Sequence, residues 1–198
     1  MSTTVVSGAA TTAATTRPLR ADAQRNYDTI VRVAGEAFAE NGTQTSLDDI
    51  ACRAGVGPGT LYRHFPTRDS LLAAALRDSL AELETLSLEL MTADDAGDAL
   101  DRWLFQLASH LRTYGGLPDS IAQALRDGES PLCISCVPLR SITETLVEGA
   151  QKAGTVRDAV SAADVFALVA SLAWGADRRG GSDEDLKRML SLVTTGLR

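Results

Sequence analysis

Aromatic residues are scarce in this 198-residue chain, since Phe, Trp and Tyr together make up 5% of it. Cysteine is also rare: three thiols are too few, and odd in number, for a disulfide framework, which favours a reducing compartment. No run approaches the roughly 18 to 20 apolar residues of a membrane-spanning helix. Residues 1–16 have neither the basic start nor the apolar centre of a secretory signal. We therefore expect a cytoplasmic protein with no membrane partner, and a disordered leader over residues 1–16.

Basic residues are outnumbered, with 19 Lys and Arg against 26 Asp and Glu and a net charge of −7. The imbalance lies in one part of the chain. Residues 17–78 contain eight Arg and eight acidic residues, whereas residues 79–198 contain eleven basic and eighteen acidic ones. The distribution suggests a first module that can approach a polyanion and an acidic second module that cannot. On the charge distribution alone, chance variation in surface charge is an equally good explanation.

Apolar residues recur at the three- and four-residue spacing of amphipathic helices, and no segment alternates as a strand does. The pattern predicts an all-α protein with a three-helix N-terminal domain over 17–66, a connecting helix over 67–91 and a larger helical domain over 92–198. Pro138 is expected to kink or delay one helix of the larger domain. The helices predicted in that domain cover residues 95–114, 118–127, 132–153, 161–177 and 183–197.

The segment 46–65 is typical of a helix-turn-helix. Ser46 has the position of a capping residue, whose side-chain oxygen accepts from an unpaired backbone N–H at the start of a short helix. Ala51 allows a second helix to cross closely, and Gly55 can adopt the left-handed conformation that the turn requires. Pro58 suits the first turn of the second helix. A helical hairpin that only packs is the alternative interpretation.

One side of this second helix is predicted to be exposed. Steps of 100° per residue place Leu61 and Phe65 toward the core and Gly59, Thr60 and Arg63 on the opposite arc. Gly59 permits close approach, Thr60 can contact a base edge or a thymine methyl, and Arg63 can bond guanine O6 and N7. This chemistry matches the major groove of DNA.

Side chains that flank the arc are suited to phosphate contacts, which fix the register of a protein on the duplex. They are Tyr62, His64 and Arg68. A partly packed residue bonded to the backbone is the alternative role for His64. A further basic group consists of Arg17, Arg20 and Arg25. It could form a basic arm along the phosphates or simply be a solvated start of a helix, and the sequence favours neither interpretation.

Residues 22–71, and above all the run from Ala54 to Leu71 with its Thr-Leu-Tyr-Arg-His-Phe core, resemble the DNA-binding domain of the TetR/AcrR family of bacterial transcriptional regulators. The resemblance implies three helices for DNA, a connecting fourth helix, and a ligand-binding and dimerisation domain over 92–198. Gly57 stands where many relatives have Ser, so a side-chain cap or phosphate contact is missing there. The DNA contacts that the resemblance implies are Thr45, Gly59, Thr60, Tyr62, Arg63, His64, Thr67 and Arg68.

Aromatic and polarisable side chains of the larger domain are candidate contacts for a small molecule, with plain core packing as the alternative. They are Trp103, Leu107, His110, Tyr114, Cys133 and Trp174. Cys133 and Cys136 also form a CxxC pair, but the chain has no second pair. Core thiols are therefore favoured over a metal site, and neither a metal nor a cofactor is predicted.

Two apolar stripes near the C-terminus need cover, either inside the domain or from a second copy. A single short recognition helix buries little, whereas two copies about 34 Å apart can read a palindrome, which favours a homodimer. The family resemblance implies that the two stripes form a four-helix interface. Their residues are Val165, Leu168, Val169, Leu172, Leu186, Met189, Leu190 and Val193.

We therefore predict a homodimeric transcriptional regulator, a repressor that binds a palindromic double-stranded DNA operator. An unidentified small-molecule inducer in the larger domain would release it. The alternative is a helical adaptor or sensor that no longer binds DNA. An enzyme is not predicted, because the chain has no GxSxG, HExxH or phosphate loop and its two histidines lie on different modules.

Overall fold

The computed structural model describes residues 16–197, so the predicted leader lies outside the described residues except for Thr16. Within that range the chain forms eleven helices and no strand, and the prediction of an all-α fold is confirmed. The first four helices are α1 (Thr16–Asn41), α2 (Leu47–Arg53), α3 (Pro58–His64) and α4 (Arg68–Ala75). The others are α5 (Arg77–Leu90), α6 (Ala96–Leu111), α7 (Leu117–Asp127), α8 (Pro131–Ser135), α9 (Val137–Lys152), α10 (Ala162–Arg178) and α11 (Asp183–Leu197).

The ends of α2, α3 and α4 follow from local sequence. The Ser46 hydroxyl accepts from the backbone N–H of Asp49 at the start of α2, as the capping pattern predicts. Gly55 has a φ of +69° in the turn that follows, a conformation that a residue with a Cβ rarely adopts. Thr67 and Ser70 form a reciprocal capping box at the start of α4. The two caps and the glycine turn therefore fix where α2 and α4 begin and where the chain turns before α3.

The single connecting helix predicted over residues 67–91 is wrong, because α4 and α5 are separate helices that meet at Leu76. Two hydroxyl groups donate to backbone carbonyl oxygens at this point, and the Leu76 carbonyl also keeps its bond from the Leu80 N–H. The Tyr114 hydroxyl donates to the carbonyl oxygen of Ala75, and the Ser79 hydroxyl donates to that of Leu76. Side chains that insert into the i to i−4 ladder are a known cause of helix bends. The connection between the two domains therefore consists of two helices with a joint at Leu76, and not of one continuous helix.

The helix predicted over residues 132–153 is also two helices, α8 and α9. Pro138 lies in the first turn of α9, where its missing N–H has no intrahelical partner. The expected delay of that helix is therefore confirmed. The Ser130 hydroxyl caps α8 by accepting from the backbone N–H of Cys133.

The core of the larger domain surrounds α6, which packs against α5, α9, α10 and α11. Trp103 is completely buried at its centre, and its indole Nε1 donates to the Thr143 hydroxyl at 2.9 Å. Among residues 16–197, no helix has the length and apolarity needed to cross a bilayer.

Candidate nucleic-acid interface

The outer side of α3 carries the residues predicted to read DNA bases. Leu61 and Phe65 are buried against the domain core, whereas Gly59 and Arg63 are exposed and Thr60 is half-buried. A Cβ added to Gly59 would meet no atom within 4 Å, so the space in front of this residue is open. The predicted orientation of the helix is therefore what the structure shows.

Arg63 differs from the other arginines of the N-terminal domain. Among the described residues its guanidinium has no hydrogen-bond or ion-pair partner. Every other arginine side chain described between residues 21 and 78 is engaged by a neighbour: Arg25 by Asp22, Arg32 by Glu36, Arg53 by Glu40, Arg68 by backbone carbonyls and Arg77 by Tyr27. The unpaired guanidinium of Arg63 thus lies on the exposed side of α3.

The side chains that flank the arc occupy different environments. Tyr62 is 44% exposed and Thr67 is exposed, with its hydroxyl accepting from the N–H of Ser70. His64 is half-buried and lies edge-on to the Tyr27 ring, with the ring centroids 6.0 Å apart. The packed role and the DNA role of His64 are both compatible with this position, because the residue contacts Tyr27 and is only half-buried.

Arg68 and Thr45 hold the turn between α1 and α2. Arg68 Nη1 donates to the carbonyl oxygens of Thr43 and Thr45, each at 2.6 Å. The Thr45 hydroxyl donates to the carbonyl oxygen of Gly42 at 2.8 Å. Sequence reasoning missed this fastening role. The carbonyl groups that Arg68 meets lie in the turn after α1, 23 and 25 positions away in the chain, and no local sequence signal marks them.

The same turn touches the larger domain through its backbone. The Thr43 N–H donates to the carbonyl oxygen of Gly115, in the turn between α6 and α7, at 2.7 Å. A Cβ on Gly42, whose φ is +79°, would lie 2.7 Å from that oxygen. We call this contact of Gly42–Thr43 with Gly115–Gly116 the glycine junction.

The glycine junction is anchored on its far side by α7 and α10. The Gly116 N–H donates to a carboxylate oxygen of Asp177 in α10 at 3.1 Å. The Ser120 hydroxyl of α7 donates to the Thr43 hydroxyl at 3.2 Å. A displacement of α6, α7 or α10 therefore reaches the DNA-binding domain through the Thr43–Gly115 backbone bond and the side chains that fasten it. The sequence indicated only a helix end at the two glycines.

The side chains predicted to contact a small molecule do not share one environment. Trp103 and Leu107 are fully buried in the core, Tyr114 is nearly so, and Cys133 is half-buried against core residues. His110 lines a cleft between α5 and α6. Trp174 lines a different, open cleft of about 770 Å³ between α7, α10 and α11. As ligand contacts the six residues remain predictions.

The Trp174 cleft has a polar rim over an apolar wall. The Trp174 indole N–H donates to Asp119 at 2.6 Å, and Arg178 pairs with the same carboxylate at 3.2 Å. Arg178 also lies over the Trp174 ring, 5.1 Å from its centroid. These contacts link α7 to α10 next to the glycine junction.

The CxxC pair has the character of packed thiols. Cys136 is buried, and burial raises the pKa of its thiol to about 11, so the thiolate that binds metals is disfavoured at neutral pH. In the part of the chain that the structure describes, no group of three or more His, Cys, Asp or Glu side chains is placed to hold a metal ion.

Half of the predicted dimerisation residues lie inside the single chain. The buried ones are Val165, Val169, Leu186 and Leu190. Leu168 is 43% exposed, and the half-buried ones are Leu172, Met189 and Val193. Leu192, which was not singled out from the sequence, is 73% exposed. The periodicity located the helices correctly but could not separate the face toward the core from the face toward solvent.

The outward helix-turn-helix, joined to a larger helical domain, defines a DNA-binding regulator. Residues 30–75 match the family model for bacterial regulatory proteins of the tetR family. Residues 95–198 match the C-terminal domain of SbtR-like transcriptional regulators. The chain belongs to the TetR family of bacterial transcriptional regulators.

Individual relatives agree with this assignment. A helix-turn-helix transcriptional repressor of Mycobacterium tuberculosis is 40% identical over 74 residues, which cover 37% of this chain. The match spans 39% of that curated relative. A TetR transcriptional regulator of Streptomyces coelicolor is 32% identical, with a TM-score of 0.58 over 86% of this chain and 97% of the other. A TetR-family regulator of Rhodococcus is 26% identical, with a TM-score of 0.62 over 88% and 98%.

Proposed function

We propose that this protein is a ligand-responsive repressor that binds a palindromic DNA operator as a homodimer. The unpaired Arg63 on the outer side of α3 is the observation that carries the proposal. A guanidinium left without a partner, next to the open space in front of Gly59, is free to bond the edge of a guanine. One such bidentate contact discriminates against a wrong base by about 1–3 kcal/mol.

Dimerisation is supported by the apolar groups that α10 and α11 leave uncovered. Leu168 and Trp174 are each 43% exposed and Leu192 is 73% exposed. A two-fold pairing of these helices covers the exposed side chains of both copies with one self-complementary surface. The two α3 helices would then read adjacent half-sites on one face of the duplex.

Release by an inducer is supported by the glycine junction. A ligand that changes the position of α6 or α7 also moves Gly115, whose carbonyl accepts from the N–H of Thr43 in the DNA-binding domain. The inducer needs only to favour an arrangement of the two α3 helices that no longer matches successive major grooves. A coupling of about 1–3 kcal/mol changes operator affinity 5- to 150-fold.

The DNA-binding proposal is tested by selecting genomic fragments with the purified protein and measuring their affinity by fluorescence anisotropy. Arg63→Ala should weaken binding to the selected operator 5- to 150-fold and relax discrimination at the contacted base. Arg102→Ala is the matched control, since Arg102 is an exposed arginine of the larger domain. If the wild type and Arg63→Ala retain all fragments equally, the proposal fails.

The dimer is tested by sedimentation. The wild type should have about twice the chain mass of 20.9 kDa at micromolar concentration. Leu192→Glu should shift the equilibrium toward the monomer, because it places a charge in the apolar interface. Leu88→Glu is the control, since Leu88 is similarly exposed at 67% but lies on α5. A strictly monomeric wild type would contradict the proposal.

A further inference from the structure

A cleft of about 300 Å³ lies between α5 and the C-terminal half of α6. Its lining is mainly polar, with one apolar wall formed by Leu83 and Leu86. The polar lining residues are Ser79, Glu82, Gln106, Ser109, His110 and Thr113. The cleft is separate from the Trp174 cleft and from the exposed side chains of α10 and α11.

Two polar groups at this cleft have no partner within the described chain. His110 is 8% exposed, and no described residue hydrogen-bonds to its imidazole. The Ser109 hydroxyl is buried and is likewise without a partner among the described residues. Buried polar groups in folded proteins are almost always hydrogen-bonded, and leaving one unpaired costs about 1–3 kcal/mol. The Ser109 hydroxyl is the buried atom left without a partner, and the His110 imidazole next to it is unpaired within the described chain. Together they indicate a position for a hydrogen-bonding ligand on the wall of this cleft.

The charges at the cleft define which ligand fits. Glu82 is the one charged residue of its lining, and Asp78 lies one turn earlier on the exposed side of α5. The lining contains no lysine or arginine. Burial lowers the pKa of His110 to about 4, so the imidazole is neutral near pH 7 and offers one donor and one acceptor. The cleft therefore favours a cation over an anion.

We propose that this cleft is a binding site for a small organic ammonium compound that carries a hydroxyl group. The ammonium faces Glu82, the hydroxyl bonds His110 and Ser109, and the apolar body lies on Leu83 and Leu86. This identifies the chemical class of the inducer, and its regulatory consequence rests on the proposed function.

The position of the cleft explains how occupancy reaches the DNA-binding domain. Thr113, at its edge, is followed directly by Tyr114 and Gly115. Tyr114 donates to the carbonyl oxygen of Ala75 at the joint between α4 and α5, and Gly115 accepts from Thr43. A compound held between α5 and α6 therefore acts on both connections between the domains.

The test uses three probes with one ring and different charges: tyramine is a cation, tyrosol is neutral and 4-hydroxyphenylacetate is an anion. The chain has two histidines, so ¹⁵N-histidine NMR of the full-length protein follows His110 with His64 as an internal reference. Millimolar tyramine should shift the His110 resonances and not those of His64, and 4-hydroxyphenylacetate should bind at least tenfold more weakly. Equal binding of the three probes, or no shift of His110, would overturn the proposal.

Two variants separate recognition from stability. Glu82→Gln should remove the preference for tyramine over tyrosol. Ser109→Ala should weaken tyramine binding at least fivefold while leaving the thermal midpoint of the free protein unchanged or higher, since it removes a buried unpaired hydroxyl. Ser141→Ala, at an exposed position of α9, is the control for both measurements. A Ser109→Ala protein that unfolds at a lower temperature, or a Glu82→Gln protein that keeps the preference, would show that these groups are not a binding site.

The result is independent of the DNA experiment. Operator binding that depends on Arg63, together with failure of all three probes, rejects the ammonium site and leaves the proposed function standing. If the protein binds tyramine but retains all DNA fragments equally, the ammonium site stands and the proposed function is rejected.

Discussion

Arg68 gives a direct test of whether an arginine beside a DNA-binding helix serves the DNA or the fold. The sequence assigns it to phosphate contact, whereas in the structure its Nη1 donates to the carbonyl oxygens of Thr43 and Thr45. Thr43 is completely buried, so few water molecules can replace the lost donor. Hydrogen bonds to charged groups contribute about 1.5–3 kcal/mol each, and partial exposure of Arg68 reduces their sum. We expect Arg68→Ala to lower the free energy of unfolding by about 2–4 kcal/mol.

The assay combines urea unfolding with the salt dependence of operator binding. Arg68→Lys should recover only part of the stability, because an ammonium cannot reproduce the planar guanidinium geometry. The slope of log K against log salt should stay within experimental error of the wild type in Arg68→Ala, measured under conditions in which that variant is folded. Arg63→Ala, which breaks no contact within the described chain, should change the unfolding free energy by less than about 0.5 kcal/mol.

The opposite pattern would refute this reasoning. An arginine that serves only as a phosphate contact would leave stability unchanged on replacement by Ala. The same replacement would make the salt slope shallower by about 0.9, the value for one lost phosphate contact. That combination of results would show that Arg68 contacts a phosphate of the DNA, as the sequence suggested.

Three further perturbations follow from contacts in the two domains. Thr143→Val leaves the buried Trp103 indole N–H unpaired and should lower the unfolding free energy by about 1–3 kcal/mol in urea titration. Gly42→Ala should lower it by about 2 kcal/mol or more in the same assay, because a left-handed φ is unfavourable for Ala and the added Cβ meets the Gly115 oxygen. His110 has a pKa near 4 when folded and near 6.5 when unfolded, so its contribution is complete above pH 6.5. Between pH 6.5 and 4, stability should fall by about 3 kcal/mol as the unfolded chain takes up the proton first, measured by urea unfolding at each pH.

Matched variants check each of these predictions. Thr145→Val removes an exposed hydroxyl from the same helix as Thr143 and should have little effect. Gly149→Ala places a Cβ in open space within α9 and should raise stability by about 0.5–1 kcal/mol, opposite in sign to Gly42→Ala. His110→Gln should flatten the dependence on pH between 4 and 6.5. Loss of stability in all of these variants alike would show that the individual contacts are not responsible.

The N-terminal domain could be predicted closely because its signals are local. Ser46, Gly55 and Pro58 fix where helices begin and end through the properties of single residues. The orientation of α3 then follows from helical periodicity, since Leu61 and Phe65 lie on one side of the helix and are both buried.

The features that sequence reasoning missed depend on residues distant in the chain. The break at Leu76 involves the hydroxyl of Tyr114, 39 positions after the carbonyl that it meets. The role of Arg68 depends on carbonyl groups 23 and 25 positions away. The candidate ligand residues lie in different environments in the structure. Periodicity identifies the buried face of a helix but does not show which other helix covers it. Thus Trp103 is core, whereas Trp174 lines an open cleft.

The glycine junction brings two main chains into direct contact, and three side chains fasten it: those of Thr43, Ser120 and Asp177. Its geometry therefore depends on the glycines and on these few polar side chains, and not on a large packed interface. A hybrid made by exchanging the sensory half for that of another regulator should need only a short set of residues at the seam: Gly42–Thr43 on one side, and Gly115–Gly116 with Ser120 and Asp177 on the other. The two halves should therefore be exchangeable between regulators, because the glycine junction through which they meet is small.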